Sequence, residues 1–152
     1  MPHKPTILVV DDEATLRAVF ADLLTSQGYR CITAANAVDA LNIIEANVIK
    51  LDVLVTDIRM PGQIDGLDLA NKVRQLQPDT AILLISGHAA ASGMKEIEAR
   101  GYRLLQKPFR HFHLEAAIRE ELAKRPGTTP PAADQEGGSV VPIKKARDRE
   151  PS

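Results

Sequence analysis

The stretch Asp52-Val53-Leu54-Val55-Thr56-Asp57 decides how this chain is read: it is a mostly apolar run of strand length that closes on a carboxylate. Unbroken apolar runs, as opposed to alternating ones, belong to strands buried on both faces of a parallel sheet. Ile7-Leu8-Val9-Val10 has the same form and ends in Asp11-Asp12. Ala81-Ile82-Leu83-Leu84-Ile85 ends in Ser86, and Tyr102-Arg103-Leu104-Leu105 runs up to Lys107-Pro108. As parallel strands these runs would gather carboxylates, a hydroxyl and an ammonium at one edge of one sheet. That is the edge at which open α/β sheets bind ligands.

Around these runs, strands are expected near 6–10, 30–34, 52–57, 81–86 and 102–106, alternating with segments of helical period. A first helix over 14–27 places Leu16, Val19, Phe20, Leu23 and Leu24 on one stripe, and Gly28 stops it. Asn36 caps a second helix that runs through residue 46, with Leu41 and Ile44 inward. A third covers 66–77, with Leu69, Val73 and Leu76 inward, before Pro78. The segment 90–100 is a weaker helix, interrupted by Ser92 and Gly93 and anchored by Met94 and Ile97. A last helix over 110–124 has Phe112, Ala116 and Leu122 among its candidate buried residues and stops at Pro126. Strict βα alternation predicts an α/β fold with a doubly wound, five-stranded parallel sheet.

At 152 residues the chain has room for one domain and a tail, here 5–124 and 125–152. The tail is rich in Pro, Gly and small residues, with too little apolar content to offset the entropy of ordering its backbone, so it is expected to be disordered. It offers nothing from which a DNA-binding helix-turn-helix could form. Lys144, Lys145, Arg147 and Arg149 are balanced by acids in the same segment, and the formal charge is −1 overall. Neither nucleic acid nor a membrane surface is an expected partner. Cys31 is the single cysteine, which excludes an internal disulfide and fits a reducing compartment. The apolar segment after Met1 is far too short for a signal peptide, and a soluble cytoplasmic protein is expected.

In a sheet of order 2-1-3-4-5 the first and third strands are neighbours, so Asp11 and Asp12 stand beside Asp57, and the fourth and fifth strands bring Ser86 and Lys107 alongside. Three carboxylates that close together repel one another, and one lysine offsets part of that charge. A divalent cation is the natural remedy. All-oxygen ligands favour Mg²⁺, or Mn²⁺, over zinc. A carboxylate can act as a nucleophile toward phosphorus, and Asp57, alone at its strand end, is the candidate. Other residues fit site roles poorly. His111 and His113 sit two apart on a helix and make a weak metal pair, His88 reads as a loop residue, and Cys31 reads as a small buried hydrophobe.

Leu8-Val9-Val10-Asp11-Asp12-Glu13, Thr56-Asp57-Ile58-Arg59-Met60-Pro61-Gly62 with Asp65-Gly66, Ser86-Gly87 and Lys107-Pro108-Phe109 follow one another at strand ends. With these fragments in this order, residues 5 to 124 resemble the receiver domain of bacterial response regulators, of the stand-alone type. The resemblance implies a flavodoxin-like fold and phosphoryl transfer from a sensor histidine kinase or histidine phosphotransfer protein onto Asp57. It implies that Asp12 and Asp57 ligate Mg²⁺, that Asp11 holds a metal-bound water, and that the backbone carbonyl of Arg59 is a further ligand. Lys107 would contact the phosphoryl oxygens, Ser86 would donate a hydrogen bond to them, and the Lys107-Pro108 bond would be cis. Such a domain catalyses its own phosphorylation and dephosphorylation and is not an enzyme acting on a separate metabolite.

Three features depart from the family pattern. Leu104 stands where receivers carry Tyr or Phe, and offers neither a phenolic hydroxyl nor a flat ring. The loop 61–66 is one residue longer than the commonest form, and Ser86 replaces the more frequent threonine. Leu104 favours a relay role, or a receiver-like interaction module that works without phosphorylation, over a strongly switched effector. A downstream protein target would meet the face formed by the fourth helix, fifth strand and fifth helix. A haloacid dehalogenase-type phosphatase would place its nucleophile after the first strand with a second Asp two residues on, which Asp11-Asp12-Glu13 does not match. A flavodoxin-like FMN site would need hydroxyls and amides where Asp11, Asp12 and Glu13 would repel phosphate.

Overall fold

Among the described residues, strands and helices alternate throughout. The order is β1 (Thr6–Val10), α1 (Ala14–Ser26), β2 (Arg30–Ala34), α2 (Ala37–Glu45), β3 (Val53–Asp57), α3 (Gly66–Leu76), β4 (Ala81–Ser86), α4 (Met94–Arg100), β5 (Arg103–Gln106) and α5 (His111–Ala123). The computed structural model describes residues 4–46, 49–59, 62–87 and 94–124. The segment before Met94 and the expected tail 125–152, with His88, lie outside the described residues. All strand pairs are parallel, and the sheet order is β2-β1-β3-β4-β5, as expected.

Strand residues alternate between two cores. Leu8, Val10, Leu54, Ile82 and Leu84 face α2, α3 and α4, meeting Ala40, Ile44, Leu69, Val73 and Ile97. Ile7, Val9, Val53, Val55, Leu83 and Ile85 face α1 and α5, meeting Phe20, Leu24, Leu114, Ile118 and Leu122. The three central strands β1, β3 and β4 are buried along their whole length, which is why they read as unbroken apolar runs. Each fully buried Leu or Ile contributes about 1.5–3 kcal/mol relative to exposure.

Helix phases differ from expectation at four residues. Val19, Leu76 and Phe112 are about half exposed, and Ala116 is only partly buried. On α5 the buried stripe is Leu114, Ala117, Ile118, Glu121 and Leu122, an i, i+3, i+4 series that leaves Phe112 on the far side. On α3 the stripe Leu69, Ala70, Val73 continues into Gln77, not Leu76. The Gln77 carboxamide accepts from Leu51 N at 2.7 Å and donates to Ile49 O at 2.9 Å, closing the bottom of the sheet. Asp52 and Tyr102, expected inside strands, lie one residue before β3 and β5. Asp52 is nonetheless buried, and its carboxylate accepts from Thr6 N at 2.8 Å.

Helix α4 is short and buries Ile97, with Met94 packed partly against the core. Polar contacts also hold it. Tyr102 Oη donates to Asn71 Oδ1 at 2.8 Å, Asn71 Nδ2 donates to Glu96 Oε2 at 2.9 Å, and the same oxygen accepts from Arg100 Nε at 3.0 Å.

The opening of α3 fixes the position of the β3 end. Asp65 caps the helix by accepting from Asp68 N at 2.8 Å, with Asp68 accepting in return from Asp65 N. Gly66 N donates to Ile58 O at 2.8 Å, and a Cβ on Gly66 would lie 2.0 Å from the Asp57 carbonyl oxygen. Here glycine is required by the close approach of two backbones. We expect Gly66→Ala to lose about 3 kcal/mol of stability, the upper range for forced overpacking. Urea unfolding checks this, and a loss below about 1 kcal/mol would show that α3 can withdraw at little cost.

Candidate functional site

The C-terminal edge of the sheet brings the predicted residues together. Val10 pairs with Thr56 and Asp57 with Ile85, so the ends of β1, β3 and β4 lie level. Asp11, Asp12 and Asp57 each offer a carboxylate oxygen within 4.8 Å of the others. Lys107 Nζ lies 3.2 Å from Asp57 Oδ2, and Arg59 N donates to Asp57 Oδ1 at 3.2 Å, which brings the Arg59 backbone to the acids. Ser86, buried at the end of β4, receives Lys107 N on its carbonyl at 2.8 Å. The Lys107-Pro108 bond is cis. Phe109 stacks on Phe20 of α1 with centroids 6.2 Å apart, so the loop carrying the lysine is seated on the core.

Burial and charge oppose each other at Asp11, which is 2 % exposed. Its Oδ1 accepts from Glu13 N at 2.8 Å, while its Oδ2 is buried with no hydrogen-bond partner among the described residues. Loss of solvent pushes the Asp11 carboxyl above its ordinary value; the Glu13 amide opposes this, Asp57 and Asp12 add to it, and Lys107 opposes it. A buried carboxylate oxygen with no donor, beside two further carboxylates, fits a hard divalent cation, since every donor is oxygen. Asp12 is exposed and Asp57 nearly buried, so the cluster is reachable from solvent.

Two features were not read from the sequence. Arg17 Nη1 donates to Asp11 O at 2.7 Å, reaching back from the first turn of α1. A groove of about 520 Å³ between α1 and the start of α5, lined by Leu16, Val19, Phe20, Pro108 and Phe112 among others, opens beside Lys107. Its signal was present in the apolar residues at 19 and 112, which were assigned to the core. Leu104 is partly buried against the first core. Cys31 is also partly buried, and loss of solvent pushes its thiol up to about 11, in keeping with an unreactive packing residue.

A five-stranded parallel sheet of this order, with an acid cluster and a lysine at its C-terminal edge, defines a phosphoacceptor signalling module. Residues 7–119 match the family model of the response regulator receiver domain, and the chain belongs to that family. It is 33% identical over 121 residues to the sensor kinase CckA of Brucella abortus, covering 79% of this chain and 13% of that protein. It is 31% identical over 126 residues to the C4-dicarboxylate transport transcriptional regulatory protein DctD of Rhizobium meliloti, covering 82% of this chain and 27% of the relative. The chain thus spans a minor part of these relatives' length. Among solved structures, the chemotaxis protein CheY4 of Vibrio cholerae is similar with a TM-score of 0.70 and 28% identity, over 79% of this chain and 100% of that one. A response regulator receiver protein of Sinorhizobium medicae has a TM-score of 0.70 and 31% identity, over 80% of this chain and 96% of that one. Receiver domains pair with histidine kinases, and no described helix is long and apolar enough to cross a membrane.

The raised carboxyl at Asp11 has a consequence for stability. Between its ordinary value of 3.8 and its higher folded value, the folded state holds more protons than the unfolded one, so stability falls as pH rises through that window. Above the window the cost of ionised Asp11 is fully present. Asp11→Asn is therefore expected to raise the urea midpoint of the metal-free protein at pH 7, with the gain shrinking as pH is lowered toward 4. An equal gain at every pH would mean that packing, not buried charge, is responsible.

Proposed function

We propose that this chain accepts a phosphoryl group on Asp57 from a phosphohistidine donor, with Mg²⁺ as the physiological cation and Mn²⁺ as a substitute. The observation that carries this reading is the Asp57 carboxylate itself. It ends a buried strand with one oxygen 3.2 Å from Lys107 Nζ, and it shares a 4.8 Å cluster with Asp11 and Asp12. Asp57 attacks phosphorus, the P–N bond to the donor imidazole breaks as the P–O bond forms, and the imidazole leaves to take a proton from solvent. Lys107 binds the phosphoryl oxygens, and the Ser86 hydroxyl donates to them once they are in place. Asp12, Asp57 and the Arg59 carbonyl would hold the cation, with Asp11 beside them, and the cation would supply neutralisation of charge on the transferring group.

The donor is a sensor histidine kinase or a histidine phosphotransfer protein, and its helical, histidine-bearing surface seats in the groove beside Lys107. Half-exposed Val19 and Phe112 give that groove an apolar wall. After phosphorylation the state passes to a downstream protein or, by relay, to another histidine.

The test is intact mass after incubation with acetyl phosphate and Mg²⁺, with and without chelator. A metal-dependent phosphoryl adduct is expected on the wild type and absent from Asp57→Asn. Val19→Glu with Phe112→Glu is expected to keep acetyl phosphate labelling while slowing transfer from a phosphorylated histidine kinase by tenfold or more. No adduct on a folded, Mg²⁺-binding wild type would replace this reading with an interaction module that works without phosphorylation.

A further inference from the structure

We infer that Arg17 is the positioning residue of the cation site, holding the Asp11-Asp12 peptide so that both carboxylates aim at Asp57. The inference rests on the metal reading proposed above. Three residues, Asp11, Asp12 and Glu13, join the end of β1 to the start of α1. Such a short loop is commonly fixed by a capping side chain, but α1 has Glu13 at its N-cap with no side-chain cap hydrogen bond. Other contacts take over that task. Asp11 N donates to Ala34 O at 3.2 Å, Asp11 Oδ1 accepts from Glu13 N at 2.8 Å, and Asp11 O accepts from Arg17 Nη1 at 2.7 Å.

The last of these governs Asp12. The Asp11 carbonyl and the Asp12 N–H belong to one planar peptide, so a donor that fixes the oxygen fixes the plane and with it the direction of the Asp12 Cα. Asp12 is exposed, so packing does not hold its side chain and the backbone sets the direction of its Cα–Cβ bond. Among the described residues, Asp11 is left with one unpartnered oxygen, Oδ2, beside the other acids. Helical side chains lean toward the N-terminus, which is how Arg17, at the end of the first turn of α1, reaches a carbonyl six residues back. The donor is cationic, which shortens and strengthens the bond and adds positive charge at the rim of an acidic site.

Partners that orient metal ligands typically change metal affinity by 10–100-fold when removed. In a Mn²⁺ titration of the intact chain followed by electron paramagnetic resonance, Arg17→Ala is expected to bind the ion about tenfold more weakly. Arg17→Lys, which keeps a cationic donor, should recover part of the loss. The thermal midpoint in chelator should differ little between the variants. Wild-type Mn²⁺ affinity in Arg17→Ala would overturn the inference and leave the proposed function standing. So would equal losses in Arg17→Ala and Arg17→Lys that track a lowered midpoint in chelator. Failure of the wild type to bind Mn²⁺ would instead remove the metal reading on which both depend.

Discussion

Asp11 and Asp57 are both buried, and their like charges lie within 4.8 Å of each other. At an effective dielectric near 20 that repulsion is about 3 kcal/mol, before the desolvation of Asp11 is added. Nothing local repays it in full. Lys107 approaches Asp57 to 3.2 Å, but its side chain is 32 % exposed, and Asp11 Oδ2 has no donor among the described residues. The cluster persists because the strands that carry it are locked by the two apolar cores on either face of the sheet. The rest of the molecule can be understood as the support for this one unfavourable arrangement. The three carboxylates so held form an all-oxygen cluster of the kind that suits a hard divalent cation.

Support reaches the site along several independent lines. Parallel pairing sets the ends of β1, β3 and β4 level, the Gly66 backbone abuts the Asp57 carbonyl, and the Phe20–Phe109 stack seats the lysine loop on α1. Each fixes a different side chain, and each uses a residue that has no chemistry of its own. Gly66 illustrates the point: its value lies in what it lacks, since any Cβ would collide with the strand end that bears Asp57.

This division explains what was legible in the sequence. Central strands buried on both faces leave long apolar runs, and their terminal acids, hydroxyl and lysine follow directly, so Asp11, Asp12, Asp57, Ser86 and Lys107 could be placed by topology. Helix phases were less legible. Val19 and Phe112 line a surface groove, which composition cannot separate from core, while Gln77 takes a partly buried place at the end of α3 where its carboxamide satisfies two backbone groups. Arg17 was invisible for a different reason: its partner is a backbone carbonyl, and no residue type at position 11 announces it.

Leu104 departs from the receiver pattern that the rest of the chain follows. It packs partly against the α2–α4 core, where a leucine can contribute area but no directional bond. Directionality lies two residues earlier, in Tyr102. Its ring is buried, with the Arg74 guanidinium carbon 5.3 Å from its centroid, and its hydroxyl begins the chain of bonds through Asn71 to Glu96 on α4. Helix α4 is seven residues long and buries Ile97, so its apolar anchoring is slight and this polar chain carries much of its attachment to α3. Elements with few buried apolar contacts open at low free energy, whereas those built into a core open only with the whole domain. Opening α4 away from α3 therefore means breaking the bonds of Asn71 with Glu96 and Tyr102, more than undoing the packing of Leu104.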